Sequence, residues 1–442
     1  MQKIDLLVNA SWVIPVEPEG TVLSNHTLAI HKGQILDIMP TEVARNRYQA
    51  STVRQLDQHA ILPGFINTHT HAAMSLMRGL ADDLPLMEWL NQHIWPTESK
   101  WVNEEFVRDG SILAVAEMLR SGTTCFNDMY FFPDVTAQVC EKAGIRAVVG
   151  LIALDFPTIW AQTPSDYINK GLELFDKIKN SSLIKTAFAP HAPYTISDAP
   201  LEQIRTLADE LDIPVHMHVH ETRDEIGLST EKYAVRPLER LNRLGLLSPT
   251  MLAVHMTHIN DDELELVCRA GIHIVHCPES NLKLASGFCP VKRLMDAGAN
   301  VALGTDGAAS NNDLDMISEM RTAALLGKAV AEDATALNAA RILSMATING
   351  ARALGMSDET GSLVAGKRAD FIAIDLGQVE TQPLYNPISQ IVYASGRHQV
   401  TDVWVNGKQL LAQRKLTTLD EEKLLIKAQI WAERIASTDT HA

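Results

Sequence analysis

The chain has 442 residues, of which 46% are hydrophobic and 21% charged, and this composition is typical of a globular protein rather than a disordered one. One α/β barrel takes about 250 residues, so the length leaves room for a second, smaller domain. The 54 acidic residues exceed the 38 basic ones, giving a formal net charge of −16, and no basic cluster interrupts this excess. We therefore expect neither nucleic acid nor an anionic membrane as a partner.

Both ends of the chain have the pattern of short β-strands. Residues 1 to 58 contain the apolar runs IDLLVNA, LAIH and ILDIM between Pro-Glu-Gly and Lys-Gly turns, and a similar pattern returns in GSLVAGKRADFIAID and VTDVWVNGKQLL. We predict that segments 1–58 and 364–442 pair into one small, discontinuous β-sandwich domain, which would bring the termini together.

Residues 59–363 contain eight short apolar or β-branched runs, each followed by a helical pattern. The runs are ILPGFINT, TTCFNDM, RAVVGLIAL, IKTAFAP, PVHMHVH, MLAVHMTHI, HIVHCPES and NVALGTDG. Intervening stretches such as LEQIRTLADELDI carry the three- and four-residue apolar spacing of helices that cover a parallel sheet. Eight such units predict an α/β protein with a closed (β/α)8 TIM-like barrel. A Rossmann-type sheet is disfavoured because no Gly-x-Gly-x-x-Gly follows an early strand.

The five cysteines are widely spaced, odd in number and without a Cys-x-x-Cys pair, so they predict free thiols in a reducing compartment. This absence also argues against the zinc deaminases that use a Pro-Cys-x-x-Cys ligand pair. The first residues lack the pattern of a secretory signal, and no later run reaches a membrane-spanning length. We therefore expect a soluble, cytoplasmic protein.

The carboxyl ends of the predicted barrel strands, where the active site of such a barrel lies, are rich in histidine. The first strand ends with His69 and His71, whose two-residue spacing points both imidazoles into the barrel mouth. The sixth ends with His255, and Asp306 follows the eighth. A lone His-x-His is weak evidence, but the ordered recurrence of such groups predicts a metal site.

The fifth strand offers three histidines of one parity, His216, His218 and His220, followed by Glu221. Because they lie at different depths, at about 3.3 Å per residue, only one can meet an ion easily. We choose His218, since Glu221 then lies beside the ion rather than beneath it. His220 and His276 are candidates for contact with the ligands. The remaining histidines considered are expected in the core or at the surface: His93, His258, His273, His398 and His441.

Three imidazoles and one carboxylate suit a single divalent ion, Zn²⁺ in the first place and Fe²⁺ as the alternative, and leave a position for water. The predicted ligands are His69, His71, His218 and Asp306. The bound water should ionise near neutral pH, with its pKa lowered to about 7, and act as the nucleophile. Asp306 and His255 can take its proton, and Glu221 can deliver one to the substrate.

These residues lie in motifs that resemble the amidohydrolase superfamily over almost the whole chain: PGFINTHTH, HVHET, AVHMTH, HCPESNLKLASG, GTDGAASNN and GSLVAGKRADF. The resemblance implies the same four ligands, with Glu221 and His255 as proton-transfer groups. Many members hold two metals bridged by a carboxylated lysine on strand four. Here that strand ends in APHAP without lysine, so the chain looks like the one-metal deaminase branch, in which His191 is a candidate substrate contact.

Within that branch LMEWLNQHIWPTES resembles the 5-methylthioadenosine/S-adenosylhomocysteine deaminases. The resemblance implies that Glu98 binds the ribose hydroxyls, and a carboxylate can accept bonds from two neighbouring hydroxyls. Members that accept S-adenosylhomocysteine are expected to bind its carboxylate with arginines, but this sequence has none from Ala147 to Ile204 and an apolar loop, DFPTIW, after strand three. We expect methylthioadenosine to be preferred, then adenosine, then S-adenosylhomocysteine.

The predicted reaction is hydrolytic deamination of an adenine nucleoside at C6, with ammonia and the inosine derivative as products. Guanine deamination or hydrolysis of a triazine or another N-heterocycle on the same site is the alternative. A scaffold protein without catalysis is disfavoured, because it has no need for the full set of ligands and proton-transfer groups. The sequence leaves a homo-oligomer open.

Overall fold

A computed structural model of the protein describes residues 1–437, so the expectation for His441 lies outside the described residues. The described strands are β1 (Gln2–Val13), β2 (Leu23–His31), β3 (Gln34–Pro40), β4 (Tyr48–Pro63), β5 (Phe65–Thr70), β6 (Thr123–Asp128), β7 (Arg146–Ala153), β8 (Ile184–Pro190), β9 (Val215–Val219), β10 (Met251–His255), β11 (His273–His276), β12 (Asn300–Leu303), β13 (Phe371–Asp375), β14 (Val400–Val405), β15 (Lys408–Ala412) and β16 (Lys415–Leu416).

The described α-helices are α1 (Thr41–Arg47), α2 (Leu86–Trp89), α3 (Trp95–Trp101), α4 (Glu104–Arg120), α5 (Pro133–Ala143), α6 (Pro164–Ile178), α7 (Asp198–Leu211), α8 (Arg223–Tyr233), α9 (Pro237–Arg243), α10 (Asp261–Ala270), α11 (Pro278–Lys283), α12 (Val291–Asp296), α13 (Met316–Ala331), α14 (Ala339–Met345), α15 (Ile348–Ala353), α16 (Pro387–Tyr393) and α17 (Glu421–Ala436). A π-helical segment, Leu90–Ile94, joins α2 to α3. None of the helices in residues 1–437 combines the length and apolar character that crossing a bilayer requires.

The barrel strands coincide with the eight runs predicted from the sequence, so the prediction of a (β/α)8 barrel is confirmed. They lie side by side in the order β5 to β12, and the neighbours are parallel where their register is defined, as in the pairing of Val254 in β10 with His218 in β9. The first and last strands also meet, because Oγ1 of Thr68 donates to the carbonyl oxygen of Leu303 at 2.6 Å. The backbone N–H of Asp306 likewise donates to the carbonyl oxygen of His69 at 3.0 Å.

The strands near the two chain ends form one eight-stranded sheet, in the order β16-β15-β14-β13-β4-β1-β2-β3. The sheet bends back on itself, because the edge strand β3 is hydrogen-bonded to the segment before β13, with Ile35 N–H donating to the carbonyl oxygen of Lys367 at 2.9 Å. An apolar core lies inside this bend, where the rings of Phe371 and Trp404 stack with centroids 4.4 Å apart. The predicted pairing of the two terminal segments into one separate β domain is confirmed.

Contacts within the chain group it into two compact units. The first contains Met1–Asn67, Glu117–Cys125 and Asp315–Leu419, and the second contains Thr68–Ala116, Phe126–Leu314 and the chain from Asp420. These limits differ from the predicted ones at 58/59 and 363/364, most clearly for α17. The helix groups with the barrel because Trp431 lies in the same buried apolar cluster as Phe106, with ring centroids 5.2 Å apart. The limits read from the sequence stay a prediction.

Candidate active site

Four side chains that the sequence predicts as metal ligands converge at the carboxyl end of the barrel. His69 lies in β5, His71 directly follows it, His218 lies in β9 and Asp306 follows β12. One ligand atom of each lies within 4.8 Å of the others. Nε2 of His69 and Nε2 of His71 are each 3.2 Å from Oδ1 of Asp306. Nε2 of His218 is 3.1 Å from Nε2 of His69.

The separations of 3.1–3.2 Å fit a site for a divalent metal ion. In a tetrahedral site with bonds of about 2.0–2.1 Å, neighbouring ligand atoms lie about 3.3 Å apart. The other ring nitrogens are fixed by backbone carbonyl groups: Nδ1 of His71 is 2.5 Å from the oxygen of Met129, and Nδ1 of His218 is 2.9 Å from the oxygen of His191. Each Nδ1 therefore donates to a carbonyl oxygen, which leaves Nε2 as the ring atom that faces the other ligands.

The carboxylate of Asp306 is held by its neighbours in the orientation that a cation needs. Its Oδ2 accepts hydrogen bonds from the hydroxyls of Ser280 at 2.7 Å and Ser310 at 2.9 Å. Burial by itself raises the pKa of Asp306, but hydrogen bonds from two ligand histidines outweigh burial and hold it well below its usual value. Asp306 is therefore ionised at neutral pH, and this is the form that binds a metal.

The protonation of the ligand histidines also favours a cation. Burial lowers the pKa of His69 to about 4 and that of His218 well below its usual value, so both imidazoles are neutral at pH 7. Burial acts in the same direction on His71, but its hydrogen bond with Asp306 and the charge of that residue raise the pKa to about 9. A metal ion therefore has to displace one proton, at His71.

Glu221 and His255, the predicted proton-transfer groups, lie beside each other in the same cavity. Oε1 of Glu221 is 3.9 Å from Nε2 of His255. Nδ1 of His255 is 2.8 Å from Oδ1 of Asn281, which fixes the proton on Nδ1 and leaves Nε2 as an acceptor. Burial, followed by the charge of Asp306, raises the pKa of Glu221 to about 8, so its carboxyl keeps a proton at neutral pH. The pair can accept one proton and donate another.

Two buried side chains that sequence analysis missed hold the turn that carries Glu221 by hydrogen bonds to its backbone. The two carboxylate oxygens of Glu225 accept hydrogen bonds of 2.8 Å from the backbone N–H groups of His220 and Glu221. Oγ1 of Thr257 lies 2.9 Å and 2.8 Å from the carbonyl oxygens of the same two residues. His220 has a φ of 54°, a conformation that costs energy for a residue other than glycine. In the sequence, the second glutamate of the run HETRDE, Glu225, was the feature that could have indicated this support.

The metal cluster opens into a cavity of about 550 Å³, a size common for small-molecule sites. Its walls are mainly apolar. Among the described residues that line it, none is a lysine or an arginine. The apolar lining includes Leu86, Trp89, Leu90, Ile94, Met129, Phe131, Phe156 and Ile159.

Two further predicted residues, Glu98 and His191, face this cavity. Glu98 lies in α3, and its Oε1 accepts a hydrogen bond of 2.8 Å from the hydroxyl of Tyr130. Burial raises the pKa of Glu98 to about 7, although the bond from Tyr130 opposes this shift. Nδ1 of His191 is 3.3 Å from Oγ1 of Thr195, and burial lowers the pKa of His191 to about 3, so its imidazole is neutral.

The structure thus brings every residue predicted for the site into the metal cluster or the wall of this cavity. His216 supports the cluster instead of joining it, since its Nε2 is 2.9 Å from Nδ1 of His69. The predicted surface or core histidines do not line the cavity within residues 1–437. Sequence analysis missed the groups that hold the site residues in place: Asn281, Glu225, Thr257 and Tyr130.

The family and the relatives of the chain agree with this site. Residues 60–410 match the amidohydrolase family. An enzyme of Saccharophagus degradans named 5-methylthioadenosine/S-adenosylhomocysteine deaminase is 51% identical over 431 residues, which cover 98% of this chain and 97% of the relative. An enzyme of the same name from Teredinibacter turnerae is 50% identical over 434 residues, 98% of each chain.

Solved structures extend the likeness. A zinc-bound adenosine deaminase from Xanthomonas campestris superposes with a TM-score of 0.98 at 53% identity, covering 99% of both chains. The atrazine chlorohydrolase of Arthrobacter aurescens reaches a TM-score of 0.91 at 22% identity, over 97% of this chain and 100% of the other, and at that identity it shows the fold alone. The chain therefore belongs to the amidohydrolase family of metal-dependent hydrolases.

Proposed function

We propose that the protein deaminates adenine nucleosides at C6, with 5′-methylthioadenosine as the preferred substrate, and releases ammonia and the inosine derivative. The observation that carries this proposal is one cavity that combines the metal cluster and the Glu221–His255 pair with a partly buried carboxylate, Glu98. The names of relatives at 50% and 51% identity support the same substrate class.

The chemistry of the site follows from its side chains. His69, His71, His218 and Asp306 would hold a metal ion, which would supply a nucleophile at neutral pH by lowering the pKa of a bound water. Nε2 of His255 or the carboxylate of Asp306 accepts the proton that the attacking water loses and returns it to the amino group, which then leaves as ammonia. Glu221, whose pKa is raised to about 8 by burial, delivers its proton to the ring nitrogen next to the attacked carbon.

Glu98 accounts for the preference for a nucleoside over a free base. A carboxylate can accept hydrogen bonds from two neighbouring hydroxyls, and a free base offers no such pair. Binding the ribose also has to offset the cost of burying this charge, so a substrate without the hydroxyls leaves the carboxylate unpaired. His191, neutral and facing the same cavity, is the proposed second polar contact with the substrate.

The loop after β7 supports the preference for a methylthio group. Phe156 and Ile159 line the cavity, yet their side chains are 39% and 62% exposed, so an apolar substituent bound against them would remove apolar surface from water. The carboxylate of S-adenosylhomocysteine, in contrast, meets no cationic side chain among the described residues of the cavity wall. We therefore place adenosine second and S-adenosylhomocysteine third.

The proposed metal is zinc, with iron as the alternative, because both ions accept these ligands. A single ion is proposed, since the strand end at residues 189–193 contains no lysine that could bridge two. The net charge of −16 supports a small-molecule enzyme without nucleic acid or membrane partners, and the free cysteines support a cytoplasmic location. A homo-oligomer stays open.

The first experiment is a measurement of ammonia release by zinc-loaded protein from methylthioadenosine, S-adenosylhomocysteine, adenosine, guanine and a triazine, with the Glu98→Ala variant alongside. We expect nucleoside turnover in the stated order and at least a tenfold loss of kcat/KM in the variant, the usual scale for losing hydrogen bonds to a charged group. Turnover of guanine or the triazine alone would contradict the substrate proposed here. Equal efficiency on the three nucleosides would contradict the preference read from the loop.

A further inference from the structure

Tyr130 makes the one side-chain hydrogen bond to Glu98 found among the described residues, and this bond reaches one of the two carboxylate oxygens. Its hydroxyl donates to Oε1 at 2.8 Å, while Oε2 accepts no hydrogen bond from any residue in the described part of the chain. The surrounding wall of the cavity is apolar and includes Leu90, Ile94 and Val102. One oxygen of Glu98 is thus held by the protein and the other remains for a ligand.

Tyr130 itself has little freedom to move. Its side chain is 4% exposed and lies in the apolar cluster that also contains Phe106 and Trp431. Its ring lies 5.2 Å, centroid to centroid, from that of Phe131. The hydroxyl therefore comes from a fixed direction, and the hydrogen bond sets the orientation of the Glu98 carboxylate in the cavity.

The segment that carries Tyr130 also positions a metal ligand. Oδ1 of Asp128, the last residue of β6, accepts a 2.7 Å hydrogen bond from the backbone N–H of Ala72, and the carbonyl oxygen of the next residue, Met129, lies 2.5 Å from Nδ1 of His71. Three consecutive residues, Asp128 to Tyr130, thus contact the metal end of the cavity and the carboxylate assigned to the ribose. Because only one residue separates Asp128 from Tyr130, the backbone limits the distance between the metal end of the cavity and the carboxylate of Glu98.

We propose that Tyr130 is a positioning residue for sugar recognition, which makes the enzyme select nucleosides with an intact ribose diol by holding the carboxylate of Glu98 toward the hydroxyls. This inference rests on the proposed function. Burial favours the neutral form of Glu98, and a hydroxyl donor favours the ionised form, which accepts hydrogen bonds from both sugar hydroxyls. Removing the donor therefore weakens the recognition of the diol and leaves the recognition of the base intact.

The test is the Tyr130→Phe variant, which removes one oxygen atom and keeps the ring. Zinc-loaded wild type and variant are compared on adenosine, 2′-deoxyadenosine and 3′-deoxyadenosine, and 2′,3′-dideoxyadenosine is measured as a competitive inhibitor. We expect the KM for adenosine to rise about tenfold, the usual effect of losing a hydrogen bond to a charged group, while kcat changes by less than about threefold. The inhibition constant of the dideoxynucleoside should not change.

Two further variants separate this role from a structural one. Tyr233→Phe alters a tyrosine whose ring stacks on Arg240 outside the cavity, and it should behave like the wild type. In a Glu98→Ala background, Tyr130→Phe should have no further effect on KM, because the tyrosine acts through the carboxylate.

An equal loss on the dideoxynucleoside, a loss confined to kcat, or additive effects with Glu98→Ala would overturn the role of Tyr130 and leave the proposed function standing. Failure of the wild type to act on any adenine nucleoside would overturn both. A melting temperature and a zinc content equal to those of the wild type establish that the variant protein is folded and loaded.

Discussion

In three carboxyl groups in or near the cavity, removal from water raises the pKa, and the groups differ in the interactions that oppose this shift. Burial raises the pKa of Glu221 to about 8, that of Glu98 to about 7 and that of Asp128 to about 6. Glu98 has one opposing hydroxyl donor, whereas Asp128 accepts a hydrogen bond from the backbone N–H of Ala72. Glu221 has the nearby charge of Asp306, which raises its pKa further. The result is a proton donor and a hydrogen-bond acceptor in one cavity, as the proposed reaction requires.

The substitution Glu221→Gln tests the proton donor. Glutamine keeps the size and polarity of the side chain but cannot deliver a proton, so kcat should fall by a factor of about 10²–10⁴. The KM and the zinc content, measured by steady-state kinetics and metal analysis, should stay close to wild-type values, because Glu221 is not one of the four ligands that converge in the cluster.

Glu231→Gln is the matched control, since that carboxylate is exposed on α8, and it should leave kcat unchanged. A Glu221→Gln enzyme that retained more than a tenth of wild-type turnover would contradict the assigned role. Loss of zinc from the variant would instead show that the residue supports the metal.

At the scale of elements, several buried hydrogen bonds hold the junction between β9 and α8 in place. The backbone N–H groups of His220 and Glu221 point into the carboxylate of Glu225, which belongs to the first turn of α8. The helix itself begins with a cap, because the hydroxyl of Thr222 accepts from the backbone N–H of Glu225. Glu225 is 2% exposed, and burial raises its pKa to about 8 although the two backbone donors oppose this shift, so its carboxyl serves as a hydrogen-bond acceptor for the turn rather than as an exposed charge.

Replacing Glu225 should therefore impair catalysis without touching a ligand. In Glu225→Ala two buried backbone donors lose their acceptor, at a cost of about 1–3 kcal/mol each, and the turn that carries Glu221 is free to shift. We expect a fall in kcat of at least tenfold, a smaller fall in Glu225→Gln, which keeps one acceptor oxygen, and a zinc content equal to that of the wild type. Steady-state kinetics and thermal melting with Glu231→Gln as control provide the measurement. Unchanged kcat in the alanine variant would contradict a positioning role.

The elements of the barrel could be predicted from sequence because each strand carries its own local signal. The strand β7 is buried along its whole length, and a strand covered on both faces has a continuous apolar run that no tertiary contact needs to supply. The ligands His69 and His71 could be predicted for a similar reason, since a spacing of two residues places both on one side of a strand.

The supporting contacts could not be predicted, because they join segments that lie far apart in sequence. The bond between Tyr130 and Glu98 spans 32 positions, and that between His255 and Asn281 spans 26. The bond from Trp431 to Asp109 spans 322 positions, and no local pattern in residues 421–436 could indicate that this helix packs against α4. Such pairs depend on how loops and helices pack, and the residue pattern within one segment does not indicate its contacts with a distant one.

At the scale of the whole molecule, the metal cluster connects residues from the beginning and the end of the barrel. His69 belongs to the first barrel strand and Asp306 follows the last, and their side chains lie 3.2 Å apart. A cation that binds both, together with His71 and His218, stabilises the folded state because the unfolded chain cannot bring the four ligands together. Metal content should therefore control stability as well as activity.

Removal of the metal by dialysis against a chelator should abolish turnover and lower the melting temperature by several degrees. A ligand present at 100 times its Kd contributes about 2.7 kcal/mol to the free energy of unfolding, and zinc added back should restore both properties. The Asp306→Asn variant should have a lower melting temperature than the wild type, and added zinc should raise it only slightly. In Asp82→Asn, which alters a surface carboxylate paired with Lys283, added zinc should raise the melting temperature as much as in the wild type. Equal melting temperatures with and without metal would show that the barrel closes through its backbone and packing alone, and that the four ligands serve only the reaction.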